Sequence, residues 1–135
     1  MKRRLTAAAL VLIFPLSMAA CGSQSTADAC KEIATARTSV HQYSAEHSIL
    51  DMPFDEVPDH LKKLLDMYRD AGKKVSNKEV KDVLDPYVES LDKLKDMDPA
   101  GAMSGDTEYS AAVSDASTKA NALASLCGIS NGLNK

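Results

Sequence analysis

The sequence predicts an all-α fold: a four-helix up-down-up-down bundle, closed by a disulfide between the start of its first helix and the end of its fourth. Three observations carry this expectation. Apolar residues recur at three- and four-residue spacing in four separate segments, the pattern of amphipathic helices. Short stretches bearing Pro or Gly divide those segments, and short connections favour antiparallel neighbours. Cys30 falls in the first turn of the first segment and Cys127 in the last turn of the fourth, each in line with an apolar stripe. An up-down-up-down course brings those two ends together.

Composition points the same way. Aromatic residues make up 4% of the chain and Trp is absent, while Ala, Leu and Lys are abundant, which favours helices over strands. At 135 residues the chain has room for one domain.

The first helix is expected from about Asp28 to His47, with Cys30, Ile33, Ala34, Val40 and Tyr43 on a thin apolar stripe. Ser48 to Glu56 contains Pro53 and reads as a loop. Its Ile49, Leu50, Met52 and Phe54 are expected to tuck against the end of the bundle. The second helix follows at about Val57, where Pro58 suits a first turn; Leu61, Leu64, Leu65 and Tyr68 share a face, and Gly72 is the expected stop. Lys73 and Lys74 suit the negative end of its dipole.

The third helix opens on Ser76 and Glu79, spaced as a capping box. It then places Val80, Val83, Leu84, Tyr87, Val88, Leu91 and Leu94 in one stripe. Pro86 lies inside it and removes one backbone bond, so a kink or a restart capped by Asp85 is expected. Asp98 to Gly105, with Pro99 and Gly101, is the next loop. The fourth helix carries Tyr109, Ala112, Val113, Ala116, Ala120, Leu123, Ala124 and Cys127 on one side and ends before Gly128.

The N-terminus has a different character. Lys2, Arg3 and Arg4 precede an apolar stretch from Leu5 to Leu16, broken only by Thr6 and Pro15 and followed by Ser17, Met18, Ala19 and Ala20. This is the build of a secretory signal, and the apolar run is shorter than the ~20 residues that span a bilayer. Met18-Ala19-Ala20-Cys21 resembles the lipobox of bacterial lipoproteins, in which small residues precede a cysteine that receives diacylglycerol before cleavage. The position three before the cysteine, usually Leu, is Met18 here, with Leu16 further back. The resemblance covers residues 1 to about 22. It implies a signal peptide over 1–20 that is removed and lipid on Cys21 as the new N-terminal residue. Gly22 to Ala27 is small and polar and reads as a short flexible tether, so a lipidated tether is expected over 21–27 and the helical bundle domain over 28–135. A plain secretory signal cleaved near Ala20 is the alternative. Twin-arginine export is a further one, although Arg3-Arg4 is followed by Leu5-Thr6-Ala7 and not by a bulky apolar pair.

Cysteine arithmetic fits lipidation. Three cysteines are odd in an exported chain, and lipid on Cys21 leaves Cys30 and Cys127 to pair. A redox or metal-binding thiol pair is the other reading, but no Cys-x-x-Cys spacing and no histidine cluster accompany it.

Charge excludes one partner class. All 19 acids lie beyond position 20, so without Lys2, Arg3 and Arg4 the chain has 13 bases against those 19 acids, a net charge of −6. Nucleic acid is therefore not an expected partner.

No catalytic constellation emerges. His41, His47 and His60 are the only histidines, and the spacing of six between the first two separates them around a helix, so no metal site is expected even with Glu46 beside His47. Asp92, Asp96 and Asp98 interleave with Lys93 and Lys95 as on a solvated helix face. Met52, Met67, Met97 and Met103 are too dispersed for copper capture. Nothing resembles a nucleophile elbow, a phosphate loop or a dinucleotide fingerprint, and no cofactor is expected. Tyr43, Tyr68, Tyr87 and Tyr109 fall on apolar helix faces, where a shared tyrosine-lined pocket is conceivable.

The expected product is a non-enzymatic lipoprotein, anchored to the cell membrane on its extracytoplasmic face and acting through contacts with an envelope protein. The Phe54 loop is where exposed apolar residues would meet that partner. A small-molecule binder using the bundle interior is the alternative, distinguished by a cavity with polar groups converging in it; a hydrolase or transferase lacks any matching constellation.

Overall fold

Ser25 starts the first helix. Its hydroxyl accepts from the Asp28 backbone N–H at 3.1 Å, satisfying one of the amides that a helix N-terminus leaves without an internal partner. From there a computed structural model describes residues 24–129, and among them the fold is all-α, with no strand. The signal segment 1–20, the lipidation candidate Cys21 and the first tether residues lie outside the described residues.

Helix α1 spans Thr26–Glu46, beginning two residues earlier than the sequence suggests because Ser25, and not a later residue, is the cap. The segment before it is also docked. Gln24 Oε1 accepts from the Ser76 N–H at 2.9 Å, and Asn77 Nδ2 donates to the Gln24 carbonyl at 3.0 Å. Gln24, inside the stretch expected as tether, is thus docked on the body. On the outer face Thr35, Thr38 and Ser39 return their hydroxyls to carbonyls four residues back, which satisfies them without a tertiary partner.

A 3₁₀ turn, Phe54–Glu56, leads into helix α2, Val57–Lys74. This connection overturns one expectation. Leu50 is 91% exposed, Phe54 53% and Ile49 43%. The turn delivers Val57 to the core in their place. Gly72 does not stop α2 either. A glycine ends a helix by taking a left-handed φ, which among the described residues only Gly105 and Gly128 do; Gly72 stays helical, facing Leu84, and the helix ends at Lys74 before the extended, buried Val75.

Helix α3 spans Lys78–Lys95 and is capped by Asn77, not by Ser76. Asn77 uses both ends of its amide: Oδ1 accepts from Val80 N–H at 3.0 Å, while Nδ2 donates to the Gln24 carbonyl and to Thr26 Oγ1. A serine hydroxyl, with a single O–H, could not make both of these donations while capping the helix. Pro86 sits inside α3, which runs through it as one element without a restart at Asp85. The stretch expected as a loop contains a short helix α4, Gly101–Ser104, ended by Gly105 at φ +73°. Gly101 is buried so close to Tyr109 that a Cβ there would lie 3.2 Å from the Tyr109 Cβ.

Helix α5, Thr107–Leu126, is capped by Asp106, which accepts from the Glu108 and Tyr109 amides. It closes in a Schellman motif: Gly128 takes φ +61°, Gly128 N–H reaches the Ser125 carbonyl, and Ile129 N–H reaches the Ala124 carbonyl. Val113, expected on its inner side, is 41% exposed.

The packing order explains where the core sits. α2 packs on α1 and α3, and α3 on α2 and α5, whereas α1 and α5 make no close helix-to-helix contact. The main core joins Ala29 and Ile33 of α1, Ala71 of α2, Val80 and Leu84 of α3 and Leu123 of α5. A smaller cluster of Leu94, Ala112 and Ala116 seals α3 against α5, where small residues permit close approach. Cys30 and Cys127 are joined, with their Cα atoms 5.2 Å apart, so the bridge ties the first helix to the last.

Candidate functional site

Since α1 and α5 are bridged at one end but not packed along their length, a cleft remains between them, beginning one turn beyond the disulfide. Its volume is about 230 Å³. One wall is Ile33, Arg37, Val40 and His41 of α1, which recur every three to four residues along one face. The opposite wall is Ala120, Leu123 and Ala124 of α5, and Ile129 closes one side. Tyr68 of α2 and Tyr87 of α3 form the floor.

The two tyrosines meet edge to face, with ring centroids 5.1 Å apart and planes at 80°, an arrangement that suits aromatic quadrupoles. Burial raises the pKa of both above the ordinary tyrosine value. For Tyr87 the neighbouring Tyr68 adds to the rise, and the Arg37 guanidinium opposes it for both. Both phenols are therefore protonated and neutral at physiological pH. At the rim Arg37 Nε donates to His41 Nε2 at 3.4 Å.

A second cluster lies at the far end of α1. The Tyr43 ring stacks with His47, centroids 4.4 Å apart, and with His60, centroids 5.1 Å apart. His60 is only 4% exposed, and its Nδ1 has no hydrogen-bond partner. Burial, and then the proximity of His47, lower its pKa. This stack adjoins in sequence the exposed apolar ledge of Ile49, Leu50 and Phe54.

The structure thus brings together Tyr68 and Tyr87, but not all four tyrosines: Tyr43 belongs to the histidine stack and Tyr109 lies against Gly101. The three histidines are divided between two places, and among the described residues no group of three or more His, Cys, Asp or Glu could hold a metal ion. Asp92 pairs with Arg69 at 3.1 Å and Lys95 at 3.4 Å, Asp96 with Lys95 at 2.9 Å, and Asp98 accepts from Ala100 N–H, so these carboxylates have structural partners. Among the described residues no helix is long and apolar enough to cross a membrane. Arg37 was not singled out from sequence. Its signal was the thinness of the α1 stripe, where a cation occupies the position one turn after Ile33.

Comparison with protein-family models, curated proteins and solved structures finds no match to this chain.

Proposed function

We propose that this chain is the precursor of a membrane lipoprotein, anchored through lipid on Cys21 at the extracytoplasmic face, whose body has no catalytic activity and works through contacts with another envelope protein. The signal-like residues 1–20 and the lipobox-like Met18-Ala19-Ala20-Cys21 support the address. The Cys30–Cys127 disulfide supports an oxidising compartment. Gln24, three residues after Cys21 in sequence, is docked on the body, so lipid on Cys21 would hold the body close to the bilayer. The same reading takes the four long helices as an up-down-up-down bundle, supported by their packing in chain order and by the bridge joining the two ends.

The observation that carries the contact reading is the apolar ledge: Ile49, Leu50 and Phe54 are exposed together in a connection of ten residues. Large apolar side chains grouped on a surface mark interaction sites. The test is a photocrosslinking amino acid placed at Leu50 in living cells, beside one at the exposed Asp115 of α5. A discrete adduct from position 50, absent from position 115 and lost in Cys21→Ala, is expected. Equal or no crosslinking from both positions would count against the ledge as the contact surface.

A second reading, a lipoprotein that binds a small molecule within the bundle, is favoured by the cleft itself. It is open, apolar along its walls, and has an arginine, a histidine and two phenols converging on it.

A further inference from the structure

We infer that the ledge of Ile49, Leu50 and Phe54 docks a cationic apolar segment of the partner protein, in which Lys or Arg residues flank the apolar side chains that seat on it. The inference rests on the contact reading above and names the chemistry of the partner.

Local geometry sets the ledge apart from an ordinary connection. The Asp51 N–H donates to the Ser48 carbonyl at 3.1 Å, closing a turn with Ile49 and Leu50 at its two central positions. Such positions are ordinarily taken by Gly, Pro, Asn, Asp or Ser. Here they hold two branched apolar side chains, one of them almost wholly exposed. Phe54 opens the 3₁₀ turn that follows and is more than half exposed.

Charge gives the sign of the partner. From Thr38 to Leu61 the chain has no Lys or Arg and five acids: Glu46, Asp51, Asp55, Glu56 and Asp59. All five are exposed, and among the described residues none of them makes an ion pair. Elsewhere acids are neutralised locally, Asp66 by Lys62, Asp70 by Lys73 and Asp115 by Lys119. Asp55, Glu56 and Asp59 stand where α2 begins and suit the positive end of its dipole. Glu46 and Asp51 have no such reason. Glu46 occupies the last turn of α1, where an acid opposes the dipole, and Asp51 lies between the turn tip and Phe54.

An apolar surface bordered by carboxylates without local cations is complementary to apolar residues bordered by Lys or Arg. It is a poor match for a bilayer, whose anionic lipids attract cations around an inserting apolar face and repel acids. The ledge also lies at the opposite end of α1 from Gln24, about 30 Å away by the rise of a 21-residue helix, and so away from the end that lipid on Cys21 would hold. A second copy is disfavoured too, since 13 bases against 19 acids beyond position 20 give each chain a net charge of −6.

The test uses the full-length chain in living cells, with a photocrosslinking amino acid at Leu50 and three pairs of charge substitutions. Glu46→Lys with Asp51→Lys reverses two charges beside the ledge, and Glu46→Gln with Asp51→Asn neutralises them. Asp85→Lys with Glu89→Lys makes the same change of net charge as the reversal, at exposed positions of α3. Adduct yield is expected to fall at least about fivefold on reversal, to fall by a smaller factor on neutralisation, and to hold at the parent level in the α3 pair. The peptide joined to position 50, sequenced by mass spectrometry, should carry Lys or Arg on both sides of apolar residues. Urea midpoints of the purified variants check their folding, and if the reversed chain is destabilised the neutral pair decides alone. A yield that neither pair beside the ledge lowers, one that the α3 pair lowers equally, or a captured segment that is neutral or acidic would overturn the cationic assignment and leave the ledge as a contact surface. An adduct with lipid, or with a second copy of the chain, would overturn it in favour of that occupant. No adduct from position 50 of the parent would remove the contact reading itself, and the inference with it.

Discussion

Cys30 and Cys127 are 97 residues apart in sequence and 5.2 Å apart at Cα, and their bond joins two helices whose backbones otherwise stay apart. The bridge therefore does more than close the chain. It holds α5 beside α1 at one end while Ile33 and Leu123 enter the common core just beyond it, and the remaining length of the two helices is left as a cleft.

Loss of that bond should be costly. In the loop-entropy account a bridge closing ~100 residues stabilises by about 4 to 5 kcal/mol, a large part of the ~5 to 15 kcal/mol of an ordinary domain. The double substitution Cys30→Ala with Cys127→Ala is expected to lower the urea midpoint by a corresponding amount. The unsubstituted protein should show no free thiol from these two residues when denatured without reductant.

The start of α3 separates two candidate caps. Asn77→Ala removes the bond to Val80 N–H and both bonds that hold Gln24 and Thr26, so a loss of about 1 to 2 kcal/mol is expected in denaturant unfolding. Ser76→Ala, at an exposed position whose backbone alone engages Gln24, should change stability by less than ~0.5 kcal/mol.

His60 should make stability depend on pH. Its folded-state pKa is depressed, chiefly by burial, so the neutral form is the one the fold accommodates. The unfolded chain binds a proton at a pKa near 6.5 while the folded chain resists it. Stability contributed by the neutral ring is thus fully present above that pH and is lost as pH falls from about 6.5 toward the folded value. Its neighbours in the stack are Tyr43 and His47, and the proximity of His47 adds to the lowering. Urea midpoints measured from pH 7.5 to 5 should decline, and His60→Phe should flatten that decline.

The ledge should matter little to folding. Leu50→Ser and Phe54→Ser alter exposed side chains and are expected to leave stability within ~0.5 kcal/mol. Leu84→Ala, at a fully buried position of the core, should cost about 2 to 5 kcal/mol. Thermal melts of the three variants beside the parent protein would measure the contrast.

Much of the fold was legible in the residues themselves. The stripes through Leu65 and Tyr68 and through Val80 and Leu84 are strong enough to define α2 and α3, and Gly128 marks the end of α5 because only a left-handed residue closes a Schellman motif there. The choice of Asn77 over Ser76 was not legible, since it depends on Gln24 and Thr26, some fifty residues away in sequence. Nor was the helical course through Gly72, which reflects tertiary packing near Leu84. The exposure of Leu50 and Phe54 escaped because hydrophobicity alone does not say which residue, here Val57, the chain geometry sends inward. The cleft was hidden for a related reason. Periodicity shows that α1 and α5 each have an apolar side, but not that α3 occupies the centre and keeps the two apart.

The central claim is that this body acts while fixed to a membrane by lipid on Cys21, and the intact mass of the protein extracted from expressing-cell membranes tests it most directly. The account expects a chain beginning at Cys21 whose mass exceeds that of residues 21–135 by a diacylglyceryl group. A chain beginning at or near position 21 with no added lipid, or one retaining residues 1–20, would contradict it.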